Sequence, residues 1–197
     1  PGSEKNQYSD WNKLQMLPEG TVVSAYLSFR ELLDTKTVFQ DLQAKDVKLL
    51  WLAVDTGKEA QDDPTGRPVF HPVGFPSSPI WHDDDMTAFS TEVRAGISGG
   101  QTRSQSSVSP AYVPGDQKVL HRQFLKTLSF LKSHEGQANK LFSGSFDLQK
   151  RIDYVEQNGI RHYGAVITGP TKEVLKLQNE AWAAEIVVDE VRFWNWE

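Results

Sequence analysis

Two short stretches share one pattern, WLAVDTGKE at residues 51–59 and YGAVITGPTKE at residues 163–173. Each runs from an aromatic residue through Ala-Val to Thr-Gly, and a charged step follows. A helical pattern precedes each stretch, so the repeat predicts a strand-end turn used in two α-β units of one sheet, with Gly supplying a positive φ. The alternative is a pair of adjacent turns that present backbone N–H groups to an anion, helped by a helix beginning at Thr171. Neither stretch has the spacing of a phosphate-binding loop.

The first repeat closes a β-α-β pattern. Residues 20–29 alternate with period two and are rich in β-branched and aromatic side chains, which predicts a strand. Asp34 and Thr35 offer a helix N-cap, and apolar residues at helical spacing extend the helix to about Ala44. The apolar run 47–54 is typical of a strand buried on both faces. This order favours a right-handed crossover between parallel strands.

The second repeat lies in an α-β-α-β pattern. An apolar stripe at i, i+4, i+8 and i+11 predicts a helix over 117–134. A second helix is predicted over 146–158, where an Asn-Gly pair is a suitable stop. A strand over 160–168 follows, and a short helix then begins at Thr171, its expected N-cap.

The last predicted strand, residues 183–194, changes parity in its middle. Apolar residues follow one parity up to Val188 and the other from Val191. Because a shift of one residue turns every later side chain to the opposite face, we expect a β-bulge or break at Asp189-Glu190.

Residues 56–116 differ in character from the rest of the chain. Most of the prolines lie here, together with a Ser-, Gln- and Gly-rich run, and a structureless loop of this length is rare inside a compact domain. Apolar residues predict that the first half packs down, whereas we expect 96–109 to be mobile. We assign residues 1–17 to a cloning scar and an N-terminal linker, and residues 18–197 to one domain that contains this excursion.

The patterns together predict a single α+β domain. Its mixed β-sheet would have about four main strands with helices packed on it. The β-α-β and α-β-α-β portions suggest a ferredoxin-like core, into which the two long helices and the long loop are inserted.

Composition argues against several functional classes. The net charge is −5 with 24% charged residues and no basic stripe, which disfavours binding to nucleic acid or to an anionic membrane surface. The chain has no Cys, which excludes a disulfide scaffold, a zinc ribbon and a Cys nucleophile. No apolar run reaches the length of a membrane span, and no signal peptide is recognisable.

The motifs that suggest chemistry lack the required context. GISGG at 96–100 has the GxSxG spacing of a nucleophile elbow, but a polar run follows it instead of a helix. WHDDD at 81–85 places a His beside three carboxylates, yet it lacks the spacing of a calcium loop, so a solvated acidic loop is the favoured interpretation. No HExxH or comparable ligand pair occurs. We therefore predict no catalytic residue, no metal and no cofactor.

Several stretches, taken in order, resemble the C-terminal domain of the bacterial sigma factor regulator family, which comprises membrane-anchored anti-sigma factors, mostly of Bacillus-like Firmicutes. The resemblance covers most of the chain from about residue 18 and is most specific around NGI…YGAVITGPTKE and the Trp-rich end. The stretches are GTVVSAYLSF (20–29), VKLLWLAVDTG (47–57), GFP (74–76), YVEQNGIRHYGAVITGPTKEVLKL (154–177) and EVRFWNW (190–196).

The resemblance implies a non-enzymatic regulatory domain. In this family a cytosolic N-terminal segment holds an extracytoplasmic-function sigma factor, a transmembrane helix follows, and the C-terminal domain lies outside the membrane. The partners implied are therefore a membrane protein or an extracellular signal for this domain, and a sigma factor for the N-terminal part. The implied location is the extracytoplasmic side of the cell membrane.

The predicted binding surface combines the first half of the excursion with two strand ends. Loops at strand ends often carry function, and aromatic anchors among charged groups are typical of binding patches. Simple burial of the aromatic rings, which would tie the loop down, remains the other interpretation. A secreted or cytosolic hydrolase with a site at the strand ends and the acidic loop is the alternative function. The candidate residues are Asp55, Thr56, Phe75, Trp81, His82, Asp83, Asp84, Asp85, Thr168 and Gly169.

Overall fold

The computed structural model describes residues 9–57, 61–62, 68–69, 72–95, 101–113, 115–142 and 146–194. The strands are β1 (Thr21–Leu33), β2 (Lys48–Val54), β3 (Gln61–Asp62), β4 (Pro68–Val69), β5 (Val73–Pro76), β6 (Ala88–Ala95), β7 (Gln101–Val108), β8 (His162–Pro170) and β9 (Ala183–Phe193). The helices are α1 (Trp11–Met16), α2 (Thr35–Gln43), α3 (Gln117–Ser133), α4 (Glu135–Phe142), α5 (Leu148–Asn158) and α6 (Thr171–Lys176). Single-turn 3₁₀ helices lie at Asp83–Asp85 and Leu177–Asn179.

The central sheet has five strands in the order β5-β2-β8-β1-β9. Without β5, the order β9-β1-β8-β2 and the connections β1-α2-β2 and β8-α6-β9 are those of a ferredoxin-like fold. Everything between β2 and β8 is therefore an insertion, which contains α3, α4 and α5. The α+β class, the single domain and the ferredoxin-like core with inserted helices are confirmed.

The sheet is antiparallel throughout, so the predicted mixed sheet is wrong. Strands β1 and β2 run in the same direction, as their β-α-β pattern suggested, but both pair antiparallel with β8, which lies between them. The remaining pairs, β1 with β9 and β2 with β5, are also antiparallel. Sequence order cannot reveal that a strand from more than a hundred residues later enters between the two.

One face of the sheet carries the core. Alternate residues of β1, β8 and β2 point to this face and are buried, with α2 and α6 packed on them. Helix α3 reaches the same face at its β5 edge, where the rings of Phe124 and Phe75 lie 5.2 Å apart. The opposite face is open over β1 and β9, where the cross-strand partners Tyr26 and Val187 are 50% and 45% exposed. The helix stripes predicted from sequence supply the core side chains Val38, Leu42, Leu120, Phe124, Leu128, Leu148, Ile152 and Val155.

The helix ends follow the sequence signals in two of three cases. The Asp34 side chain caps α2 by accepting the Thr37 N–H at 2.9 Å. Gly159 ends α5 with φ 76°. The predicted N-cap role of Thr171 is wrong, because Thr171 is already inside α6 and its hydroxyl instead bonds the Thr21 hydroxyl at 2.8 Å.

Residues 9–17 belong to the folded unit, although the sequence analysis placed them in a linker. Trp11 and Leu14 of α1 are buried in the core. The Trp11 indole N–H donates to the Ala184 carbonyl at 3.1 Å, and the Asp10 backbone N–H donates to the Ile186 carbonyl at 2.8 Å. The segment is therefore attached to β9 by both packing and hydrogen bonds.

The β-bulge predicted in the last strand is confirmed. Ser24 of β1 pairs with Glu190 and Ala25 pairs with Val188, so Asp189 is the additional residue. The bulge restores the parity, because Val191 then lies opposite the buried Val23.

The excursion is more ordered than its composition suggested. Strand β5 extends the central sheet, and β6 and β7 form a separate ribbon. Residues 96–100 lie outside the described residues, and residues 101–108, for which no strand was predicted, form β7. Mobility of 96–109 stays a prediction. Helix α4 was not predicted either.

Substitution of Gly164 tests whether β8 lies between β1 and β2. A Cβ at Gly164 would lie 2.7 Å from the Leu27 carbonyl oxygen, a backbone atom that cannot move without disturbing β1. We expect Gly164→Ala to lower the free energy of unfolding by about 1–3 kcal/mol in urea denaturation. Gly136→Ala in α4 is the control, because nothing lies within 4 Å of its Cβ. Equal stability of the two variants would contradict this placement of β8.

Candidate functional site

The antiparallel sheet separates the two halves of the predicted surface. Asp55 follows Val54, which pairs with His162 at the start of β8, whereas Thr168 pairs with Lys48 at the start of β2. At about 3.4 Å per residue, the two Thr-Gly ends of the repeat lie roughly 20 Å apart along the strands. The strand pairing therefore places Asp55 and Thr168 at opposite ends of β8 and does not support one surface that joins them.

Asp55 and Thr56 hold the inserted helix α5. The Tyr154 hydroxyl donates to an Asp55 carboxylate oxygen at 2.9 Å, and this bond raises the pKa of Tyr154. The Arg151 guanidinium donates to the Thr56 hydroxyl at 3.0 Å, and both side chains are buried. These contacts attach the insertion to the end of β2, so both candidates have structural partners.

Thr168 and Gly169 also serve the sheet. The Thr168 hydroxyl donates to the Val23 carbonyl at 3.0 Å. A Cβ at Gly169 would lie 3.0 Å from the Asp46 carbonyl oxygen, so close approach of the backbone explains this glycine. The anion-binding interpretation gains no support, because α6 has only six residues and the Thr171 hydroxyl bonds Thr21.

The acidic turn 81–85 is a folded element docked on α3. The backbone N–H of His82 donates to an Asp85 carboxylate oxygen at 3.0 Å, which closes the 3₁₀ turn. The Lys126 ammonium lies 2.6 Å from Asp84 and 3.0 Å from Asp85. Asp83 and Asp84 are exposed. The structure thus brings Asp84 and Asp85 together at one lysine, and Asp83 is the exposed first residue of the same turn.

Lys126 offsets part of the negative charge of the turn. Partial burial acts to raise the pKa of Asp85, but hydrogen bonds from the His82 backbone and from Lys126 prevail and lower it to about 2. The same lysine lowers the pKa of Asp84 by a hydrogen bond, and its own pKa is raised in return. Asp84 and Asp85 therefore stay ionised at any physiological pH.

The aromatic candidates divide into one buried and one half-buried residue. Phe75 is 5% exposed and packs in the core, so it cannot anchor a partner. Trp81 is half-buried, and its ring lies 6.2 Å from that of Tyr112. The His82 ring lies 6.2 Å from the exposed Phe130 of α3. Trp81, His82 and the acidic residues thus form one continuous surface, which we name the acidic turn surface (residues 81–85 with Lys126 and Phe130).

A buried polar chain joins the core to the insertion and was not predicted. The Thr35 hydroxyl lies 2.6 Å from Nε2 of His121 and 2.7 Å from Nε2 of His162. Nδ1 of His162 lies 3.0 Å from the Ala53 carbonyl oxygen. The Phe75 ring covers both imidazoles, with centroids at 6.0 Å and 5.5 Å.

The partners determine where each proton lies. A carbonyl can only accept, so Nδ1 of His162 carries a proton and Nε2 of His162 is an acceptor. The Thr35 hydroxyl therefore donates to His162, and it accepts from a protonated Nε2 of His121. Both imidazoles are neutral in this arrangement. The hydrogen bonds all run in one direction, from His121 through Thr35 and His162 to the Ala53 carbonyl, and they connect α2, α3, β2 and β8.

Burial lowers the pKa of both histidines. That of His162, which is completely inaccessible, falls to about 4, against a bond to Ala53 that acts to raise it. No pattern in the sequence could have predicted this hydrogen-bonded chain, because its three side chains come from positions 35, 121 and 162. His residues at such distances have no recognisable spacing.

An apolar cavity of about 360 Å³ lies where β1 begins and β8 ends, beside Thr21 and Pro170. It is lined by α1, by α6 and by Trp194, and the Glu19–Lys172 ion pair stands at its rim. This volume lies within the range of small-molecule sites.

Comparison with known proteins identifies the family. The family described as Sigma factor regulator C-terminal matches residues 14–190. The chain belongs to this family. It is also 30% identical over 195 residues to the probable anti-sigma-M factor YhdL of Bacillus subtilis (strain 168), an alignment that covers 98% of the chain and 46% of YhdL. The chain therefore spans about half the length of the curated relative that it matches. No solved structure matches it.

The described part of this sigma factor regulator domain offers neither a metal cluster nor a membrane span. Among the residues described, no group of three or more His, Asp or Glu side chains is arranged to hold a metal ion. None of the described helices combines the length and the apolarity needed to cross a bilayer.

The buried His162 makes the stability of the domain depend on pH. Its folded pKa of about 4 lies below the ordinary value of 6.5, so the unfolded chain binds the extra proton between these values. This contribution to stability is complete above pH 6.5 and is lost as the pH falls towards 4, by about 3 kcal/mol. We expect His162→Gln to be less stable at pH 7 and to lose less stability on acidification. Urea denaturation at pH 7 and 4.5 measures both, with His134→Gln at an exposed position as the control. If the wild-type protein, His162→Gln and His134→Gln all showed the same pH dependence of stability, His162 would be excluded as its source.

Lys126 tests the electrostatics of the acidic turn. We expect Lys126→Met to raise the pKa of Asp85 above its value of about 2, because the hydrogen bond and the positive charge of Lys126 are both lost. Titration of the side-chain carboxyl carbons by NMR measures this pKa. Lys132→Met, near the end of the same helix, should leave the pKa of Asp85 unchanged. An unchanged pKa in Lys126→Met would show that the ion pair does not form in solution.

Proposed function

We propose that this domain is the extracytoplasmic part of a membrane-anchored anti-sigma factor and that it controls an extracytoplasmic-function sigma factor without performing chemistry. The family match over residues 14–190 carries this proposal. The name of the relative, a probable anti-sigma-M factor, supports the sigma factor as the regulated partner. The sigma-binding segment and the membrane anchor would correspond to the part of YhdL that the chain does not cover.

Such a domain acts by biasing a two-state equilibrium in the rest of the protein. A signal can shift that equilibrium only if its affinity differs between the two states. The insertion between β2 and β8 is a suitable two-state element, because buried polar contacts at Thr56 and at Thr35 of α2 fix its position and an alternative set of contacts would fix another. Rearranging such contacts would change the position of α3 and α5 without unfolding the sheet.

The acidic turn surface is our proposed contact for a membrane protein or an extracellular signal. Asp83 and Asp84 are exposed, and Trp81 beside them is half-buried. Charged groups around an aromatic side chain favour recognition of a basic partner. The apolar cavity beside Trp194 is the second place where a small signal molecule could be recognised.

A labelling experiment tests the location. The chain has no Cys, so Ser129→Cys at an exposed position of α3 gives this domain a single thiol, and any Cys elsewhere in the full-length protein is replaced by Ser. We expect a membrane-impermeant maleimide to label this thiol in intact cells as strongly as in lysed cells. Labelling that requires lysis would place the domain in the cytosol and overturn the proposal.

A reporter experiment tests the regulatory role. In cells carrying the full-length protein and a reporter for its sigma factor, deletion of residues 9–194 should change the basal signal or abolish its induction. The double variant Asp83→Ala, Asp84→Ala should also change the basal signal or abolish its induction, and it retains Asp85, which closes the turn. Asp153→Ala at an exposed position of α5 is the matched acidic control. If the deletion alters the reporter and the double variant does not, the acidic turn surface is not the contact.

A further inference from the structure

The ribbon of β6 and β7 stands apart from the rest of the fold. It pairs in unbroken register from Ala88 with Val108 to Ala95 with Gln101. From residues 90 to 94 and 103 to 108, every side chain is exposed. A two-stranded ribbon is at best marginally stable on its own in water, and three or more strands or packing against a helix are needed for independent stability.

The outer edge of β6 is available for pairing. Within the part of the chain that the structure describes, β6 pairs only with β7. The backbone N–H and C=O groups along the other edge of β6 therefore form the open template that leads to strand addition. A partner strand at this edge would convert the ribbon into part of a larger sheet.

The charges on β6 are arranged for pairing with a second copy. Glu92 and Arg94 lie on the same side of the strand, form an ion pair with each other at 3.1 Å, and have side chains that are 63% and 82% exposed, so both charges remain accessible to a second copy. In an antiparallel pair of two β6 strands centred on Val93, Glu92 of each copy lies opposite Arg94 of the other. We propose that two copies of this chain associate through their β6 edges in this register, forming a four-stranded sheet β7-β6-β6-β7.

The charges also exclude the neighbouring registers. Centring the two-fold axis on Glu92 would place the two Glu92 side chains opposite each other, and centring it on Arg94 would do the same for the two arginines. Like charges directly opposite are destabilising, whereas opposite charges are favourable. Strand β7 contains one charged residue, Arg103, and therefore has no self-complementary pair.

The symmetry makes the association a closed dimer. A two-fold axis at Val93 uses the same edge of both copies, so each dimer has no further β6 edge to offer. Pairing of β6 with the β7 edge of another copy would instead continue from chain to chain. The proposal is independent of the sigma factor and of the location of the domain.

Charge exchange gives a decisive test. Sedimentation velocity of the wild-type chain from 5 to 500 µM should show a concentration-dependent dimer. Glu92→Arg and Arg94→Glu should each weaken the dimer by about tenfold or more, because each places like charges opposite at both pairs. An equimolar mixture of these two variants should recover association as a heterodimer, and the double exchange E92R/R94E should recover the homodimer.

Two further variants complete the test. Val93→Pro should abolish the dimer, since a proline in a paired strand removes a hydrogen bond. Arg103→Glu changes the charge of the β7 edge and should leave the dimer intact. Circular dichroism checks that the central fold is unchanged in each variant. The proposal would be overturned if the wild-type chain stayed monomeric at 500 µM, or if the single charge exchanges left the dimer as stable as in the wild type.

Discussion

The whole fold depends on the position of β8, which lies between β1 and β2 in the sheet. This strand pairs antiparallel with both neighbours and supplies the buried Ala165 and Ile167 at the centre of the core. Gly164 allows the backbone of β1 to approach closely enough for pairing, because a Cβ there would collide with the Leu27 carbonyl. Once β8 is in place, β1 and β2 are held in the same direction, and the helices α2 and α6 are directed to one face.

The insertion between β2 and β8 is attached to this core through its helices α5 and α3. Helix α5 is bonded to Asp55 and Thr56, and α3 is bonded through His121 to Thr35 and His162. Apolar packing of Phe124 on Phe75 lies between these polar contacts. Buried polar contacts require specific geometry, so they define one position of the insertion more sharply than apolar packing alone. This combination suits a regulatory domain whose states differ by small displacements.

The two repeats show how a partly correct local interpretation can give a wrong site. The first stretch ends β2 in a turn where Gly57 takes φ 99°, as predicted. The second differs from the prediction, because Thr168 and Gly169 lie within β8, which continues to Pro170, and Gly169 has no positive φ but passes close to the Asp46 carbonyl oxygen. The predicted binding surface assumed that both ends lie at one edge of the sheet, which holds for parallel strands. In the antiparallel sheet the ends diverge, and the ten candidates divide into the helix contacts of Asp55 and Thr56, the buried Phe75, the acidic turn, and the sheet contacts of Thr168 and Gly169.

The sequence by itself determined the local elements of this protein. Period-two and helical patterns located β1, α2, β2, α3, α5, β8 and β9, and a change of parity located the bulge at Asp189, because burial on one face controls residue choice over a few positions. Family membership followed from the same stretches. Only the tertiary structure decided the strand order, the pairing of the ribbon, the lysine that joins Asp84 and Asp85, and the chain from His121 through Thr35 to His162. These features depend on contacts between residues that are far apart in the chain, for which neither periodicity nor spacing carries a signal.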